Sequence, residues 1–406
     1  MQERQRTSFH TEQAHSTEKT QEESNSTHEL TETSLHKPKA ASPMNLFISR
    51  NLYLVALAVR MLSVAINRTY FVADEYWQST EVAHHQVFGY GYLTWEWTEG
   101  IRSYLYPLFF HVLYKALDIL SLDYDSVVVY GPHVIQAFLS SFSDIAVLHV
   151  AFKVFQCDTV ALMAYKLNLV SWFLFYTGSR TLSNNAEMCF SLIGLSYWPF
   201  YADLVRPETS KFKIKDRPAN LLLALIFGGI ALIIRPTAIA LWIVPVLSYL
   251  LKDSSRIVSL IKASLLAAPM LLILSLGVDY IFHKKLIFVH WNFFYYNWVY
   301  NISANYGSHA WHWYLTQGVP VVLAFYTIPS LYGIWVEHGS KRILFHSVVL
   351  YIFILRYVSL SCIIHVNLCI YQSLCLKMCL LEAPVIEAAP KVASLGMKIK
   401  QPTAYG

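Results

Sequence analysis

Apolar runs of about 17 to 22 residues recur along this chain, each closed by a short polar or basic connector. They fall at 51–66, 131–150, 160–178, 186–205, 220–234, 238–251, 263–282 and 319–336. Arg235-Pro236 separates two of them, and a proline there must interrupt a helix. None of the runs alternates apolar with polar as a barrel strand does, and helices and closed barrels are the two ways a backbone satisfies itself in lipid. The pattern therefore predicts an all-α polytopic membrane protein, with the membrane domain over 44–380. One polar stretch interrupts it directly behind the first run, at 67–130. Ahead of that run, 1–43 is rich in Thr, Ser, Glu, Gln and His and nearly free of aliphatics, so it is expected to be a disordered segment. It is no signal peptide, having no apolar core near its start. Residues 381–406 read as an irregular tail.

The basic connectors orient the spans. Arg206, Lys211, Lys213, Lys215 and Arg217 crowd one connector, which is placed in the cytosol. Counting through the runs puts Lys252, Arg256 and Lys262, and then Lys341-Arg342, on the same side. With Lys37, Lys39 and Arg50 also cytosolic, 51–66 ends on the far side, and parity leaves all of 67–130 there. That loop is expected to carry two membrane-hugging helices, near 76–88 and 104–120. The alternative is that 104–120 itself crosses.

Composition agrees with this picture. The chain is 55% hydrophobic and 14% charged, with a mean hydropathy of +0.39, where a soluble protein carries roughly 25% charge. The net charge of +5 is spread over the connectors, so it reports topology and not a nucleic-acid surface. The six Cys show no metal-ligand spacing. Cys362, Cys369, Cys375 and Cys379 sit in apolar surroundings, as buried thiols do more often than disulfides.

Candidate chemistry concentrates in the polar loop. Asp74 and Glu75 lie just behind the first run, where acids are costly unless they have a task. Sugar transfer from an activated phosphate needs a carboxylate to take the proton of the attacking hydroxyl, so a general base with a charge-stabilising partner is one reading. Acids complementing a helix N-terminus is the other. Neighbours on a helical turn diverge by about 100°, so the two acids are not expected to share a role. Trp95 and Trp97, with Tyr90, Tyr92, Glu96, Glu99 and Arg102, form an amphipathic patch that suits sugar stacking or an interfacial aromatic belt. Arg180 can meet a phosphate, while Ser183 or Asn184 can cap the helix that follows. Arg235 offers a cation in a helical break. His309 and His312 share a face if helical, but no acidic third ligand is near, so no metal site is expected. A transporter would need paired interrupted helices, and only Arg235-Pro236 fits.

DEYWQSTEVAHHQVFGYGYLTWEWTEGIRSYLYP, at 74–107, resembles the first lumenal loop of the dolichol-phosphate-mannose-dependent mannosyltransferases, in the branch adding the third mannose of the GPI anchor. SRTLSNNAE (179–187), IRPTA (234–238) and YGSHAWHWY (306–314) resemble that family's further signatures in the same order, so the resemblance runs from about 50 to 336. It implies a GT-C-type helix bundle in the endoplasmic reticulum membrane and an inverting transfer. The implied donor is dolichyl phosphate mannose, the acceptor a GPI-precursor glycolipid, with no cofactor besides. It also implies Asp74 as base and Glu75 as its neighbour, with Arg180, Arg235, His309, His312, Trp95 and Trp97 as substrate-binding candidates. Ala73 and Ala310 stand where the family has Pro, and its late His-Lys-Glu motif has no counterpart after 336. A truncated, catalytically impaired form is thus one alternative, and a mannosyltransferase of lipid-linked N-glycan assembly another.

Overall fold

The computed structural model describes residues 46–155, 158–200, 218–251, 253–302 and 312–336, with 346 and 350. The segment 1–43, the basic connector at 206–217, His309 and the tail 381–406 lie outside the described residues. The chain divides into two compact units, and the second, Arg50–Gly406, holds the elements treated below from residue 50 onward.

Among the described residues the regular elements are helical. Helix α1 is Leu46–Ile66. The polar loop then folds as a π-helical turn, Tyr76–Thr80, followed by α2 (Glu81–Phe88), α3 (Trp95–Thr98) and α4 (Leu105–Leu120). Helices α5 (Asp125–Phe155), α6 (Asp158–Val170), α7 (Trp172–Thr177) and α8 (Ser183–Tyr197) come next. After them stand α9 (Pro218–Ile234), α10 (Ile239–Leu250), α11 (Ser254–His283) and α12 (Val289–Phe294), then α13 (Val319–Leu323) and α14 (Thr327–Val336).

Among the described residues two helices, α5 and α11, are long and apolar enough to cross a membrane. Their surroundings differ. The apolar stretch of α5 is 61% buried inside the protein, that of α11 only 6%. Helix α11 turns Ile257, Ile261, Leu265 and Ile273 outward, as a helix does when its solvent is lipid.

Some expected spans differ. The run 160–178 is two helices, because Ser171 leaves helical geometry and its hydroxyl caps α7 by accepting from the Leu174 amide at 3.3 Å. Within the run 186–205, α8 ends at Tyr197 with Trp198 extended, and the part beyond residue 200 lies outside the described residues. The run 319–336 breaks at Ala324, whose φ is +49°. Hydropathy measures the side chains of a run and is blind to such backbone breaks. The interruption at Arg235 is present as expected: α9 stops at Ile234, Arg235 is extended, and Pro236–Ala238 forms one 3₁₀ turn.

Helix α8 is the centre. It is buried nearly all round and packs on α5 and α9. Gly194 permits the approach to α9, since a Cβ there would stand 3.1 Å from the Ala224 carbonyl oxygen. One buried ion pair registers the early helices. Arg60 of α1 donates to both oxygens of Asp144 of α5, at 2.9 and 2.7 Å, and Asn168 of α6 donates to the same carboxylate.

The polar loop does not stand off this bundle. Val82, Phe110 and Tyr114 share one core with Ala186, Phe190 and Ile233. Burying aromatic and aliphatic side chains of this size contributes about 1.5–3 kcal/mol each, enough to hold the loop as a rigid floor.

Candidate active site

The two neighbouring acids are parted by the backbone. Asp74 and Glu75 enter the π-helical turn, whose wide coil carries Gln78, Ser79 and Thr80 inward. Glu75 is completely buried. Its Oε2 accepts from the Phe71 amide at 3.0 Å and from Arg180 at 3.1 Å, while His133 Nδ1 stands 3.9 Å from Oε1. The Glu75 carbonyl accepts from Ser79 at 2.6 Å and Thr181 at 3.0 Å. Such a carboxylate is a structural anchor, and the solvated helix start considered for the pair does not describe it.

Arg180 is equally committed. It lies between α7 and α8, 2% exposed, donating to the Tyr176 carbonyl at 3.0 Å and to the Thr69 carbonyl. Its guanidinium also lies 4.2 Å from the Tyr176 ring centroid. Its Nη1 pairs with Glu75, and its Nη2 is buried with no hydrogen-bond partner. Helix α8 takes no side-chain cap: Leu182 is its N-cap, so neither Ser183 nor Asn184 caps it, and Ser183 bonds Gln78 instead.

Asp74 is only half-buried. Partial burial pushes its carboxyl up from the ordinary value, opposed most by Arg102 and further by Arg235, with Glu96 reinforcing the rise. Gln78, one helical turn on, hydrogen-bonds it. Behind Gln78 runs a directional chain. Arg235 donates to Ser183 Oγ at 2.9 Å, and Ser183 donates to Gln78 Oε1 at 3.2 Å, leaving the Gln78 amide N–H groups for Asp74. Arg235 also lies 3.1 Å from Glu187, which accepts from Thr237 at 3.3 Å. Arg102 forms a bidentate pair with Glu96, at 2.8 and 2.9 Å.

The structure therefore gathers Asp74, Arg102, Glu96, Gln78, Ser183 and Arg235, from the polar loop, the start of α8 and the break after α9. Other candidates stand apart. Trp97 is 2% exposed and donates its indole N–H to the Trp77 carbonyl at 3.0 Å, so it offers no face to a sugar or an interface. Trp95 is partly exposed, its ring 6.1 Å from Tyr296. His312 is exposed, at the start of the π-helical segment Tyr314–Gly318. Sequence reasoning missed Gln78, Ser183 and Glu187 as partners of the site. Gln78 was within reach, since position i+4 from a candidate base shares its helical face.

This arrangement can take a proton at Asp74 in a field set by two guanidinium groups. The model of the Alg9-like mannosyltransferase family matches residues 51–374, further along the chain than the four motifs reach. The chain is 41% identical over 283 residues to GPI mannosyltransferase 3 of Drosophila melanogaster, covering 70% of this chain and 46% of that one. It is 37% identical over 307 residues to GPI alpha-1,2-mannosyltransferase 3 of Xenopus laevis (75% and 55%), and 36% identical over 308 residues to that of Homo sapiens (75% and 53%). The chain spans about half the length of these curated relatives. No solved structure matches it. Matched by the family model over most of its length, the chain belongs to the Alg9-like mannosyltransferase family.

Proposed function

We propose that this chain transfers mannose from dolichyl phosphate mannose to a GPI-anchor precursor, adding its third mannose, at the lumenal face of the endoplasmic reticulum. The fold would be a GT-C-type bundle with α2 and α4 as juxtamembrane helices on the lumenal side. Asp74 takes the proton of an acceptor hydroxyl. The oxygen attacks the anomeric carbon, the bond from that carbon to the phosphate oxygen breaks, and dolichyl phosphate leaves with the electron pair. A phosphate ester is a good leaving group, so the step needs charge stabilisation more than an acid, and Arg102 and Arg235 supply it.

The observation that carries this reading is the half-buried Asp74 facing those two cations in a chain of a mannosyltransferase family. Expression in cells lacking the third GPI mannose tests it, with surface GPI-anchored protein as readout. The wild-type chain is expected to restore it. Asp74→Asn keeps shape but cannot take the proton, and losing a general base costs about 10²–10⁴-fold in rate. Mannose transfer per folded molecule by Asp74→Asn at the wild-type rate would remove Asp74 from the chemistry.

A further inference from the structure

One acid stands outside the proposed chemistry and inside an apolar helix. Asp279 lies near the end of α11, 1% exposed, the one acid of that helix and within its apolar stretch 263–282. A carboxyl in such a place is expensive unless it holds something. Its Oδ1 accepts from Ser103 Oγ at 3.0 Å and from the Tyr104 amide at 2.8 Å. The same helix grips Tyr104 twice more, with Phe282 stacked on its ring at 5.1 Å between centroids and His283 edge-on at 4.6 Å. Ser103 and Tyr104 directly follow Arg102.

We infer that Asp279 is a positioning residue: by clamping Ser103 and Tyr104 it fixes the backbone that carries Arg102 and its ion pair with Glu96 beside the proposed site. It touches no reacting atom. The inference rests on the proposed site only in taking Asp74 and Arg102 as its working parts. The groups that set the charge at Asp74 come from three elements: Arg102 and Glu96 from the loop around α3, Arg235 from the break after α9, and Gln78 from the π-helical turn. Of these, Arg102 is the opposing charge with most effect, and it is the one whose backbone Asp279 holds. A bidentate pair with Glu96 fixes the head of Arg102, but Glu96 lies in the same loop, so both would drift together if the clamp opened.

A readout independent of turnover tests this. A water-soluble carbodiimide attacks protonated carboxyls, so labelling of Asp74 in the purified chain, followed by peptide mass spectrometry against pH, reports its titration. Asp279→Ala removes the acceptor and is expected to shift the Asp74 labelling midpoint upward. Asp279→Asn keeps an amide oxygen for Ser103 and Tyr104 and is expected to leave the midpoint at the wild-type value. Arg102→Gln should shift it as Asp279→Ala does, and the double variant should shift it no further than Arg102→Gln alone. An unchanged midpoint in a folded Asp279→Ala, or an additive shift in the double variant, overturns the inference. Should Asp279→Ala not fold, the double variant's single-site controls still decide: a shifted midpoint in Asp279→Asn overturns it, and a wild-type midpoint there alongside a shifted Arg102→Gln supports it. None of these outcomes depends on Asp74 being the base, which the loss of transfer in Asp74→Asn tests separately.

Discussion

Glu75→Gln separates anchoring from chemistry. The variant preserves size and leaves an oxygen for the Phe71 amide, but it removes the charge that faces Arg180 at 3.1 Å. Glu75 and Arg180 are 0% and 2% exposed, so water cannot make good the loss. Stranding one member of a buried pair costs about 3–5 kcal/mol. Arg180 retains two backbone carbonyls and the Tyr176 ring, which keeps the cost near the lower end, about 3 kcal/mol. Against a typical stability of about 5–15 kcal/mol, that is a large fraction. Thermal denaturation in detergent micelles should show a markedly lower midpoint, while mannose transfer per folded molecule stays within a few-fold of wild type. Removing the stranded cation as well, in Glu75→Gln/Arg180→Met, should recover part of the midpoint, since adjacent partners are not additive. A Glu75→Gln that melts like wild type yet transfers no mannose would refute the reasoning and return Glu75 to the chemistry.

Other outcomes follow from the same geometry. Arg60→Met alone should destabilise by about 3–5 kcal/mol by stranding Asp144, whereas Arg60→Met/Asp144→Leu should lie close to wild type in the same melt. Of the two sequons that lie behind the start of the first apolar run, Asn67-Arg-Thr69 and Asn301-Ile-Ser303, the second should be glycosylated, because Asn301 is exposed, and a mobility shift on deglycosylation checks it. Asn67-Arg-Thr69 should stay unmodified, since the Asn67 amide donates to Ser63 at 3.0 Å and to the Phe175 carbonyl at 3.3 Å. The acid limb of the transfer rate against pH should lie above the ordinary carboxylate value of 3.8, because burial raises Asp74 and the base must be ionised to work. A limb at or below that value would show that another group is titrating.

Much of this was legible in the chain. The periodless apolar runs gave a helical membrane protein, and the helices of the polar loop fall where the pattern places them, at 76–88 and 105–120. The break at Arg235 was readable because proline removes a donor and clashes with the preceding turn. What stayed hidden was burial. Trp97 and Trp95 are two residues apart with the same chemistry, and only the packing of α3 against Tyr104 sends one into the core. Arg180 reads as a free cation because its partner, Glu75, lies 105 positions away. Asp279 did carry a signal, an acid inside an apolar run, but its meaning depends on which loop lies against it.

The division between Asp74 and Glu75 has a consequence for how the proposed reaction proceeds. A useful base must be ionised before the acceptor binds and strongly basic when the hydroxyl gives up its proton. Those demands conflict for a carboxylate of fixed environment. Glu75 is completely buried, with Arg180 at 3.1 Å. Asp74 is set by opposing influences, burial raising its proton affinity while Arg102 and Arg235 lower it. On the proposed reading those two cations also meet the donor phosphate. Its negative charge then offsets their field at Asp74, so donor binding raises the proton affinity of the base at the stage when a proton must be taken. The pH profile carries the mark of this, because kcat/KM reports the free protein and kcat the loaded one. The acid limb of kcat should therefore stand at higher pH than that of kcat/KM, and coincident limbs would mean that neither guanidinium is shared between phosphate and base.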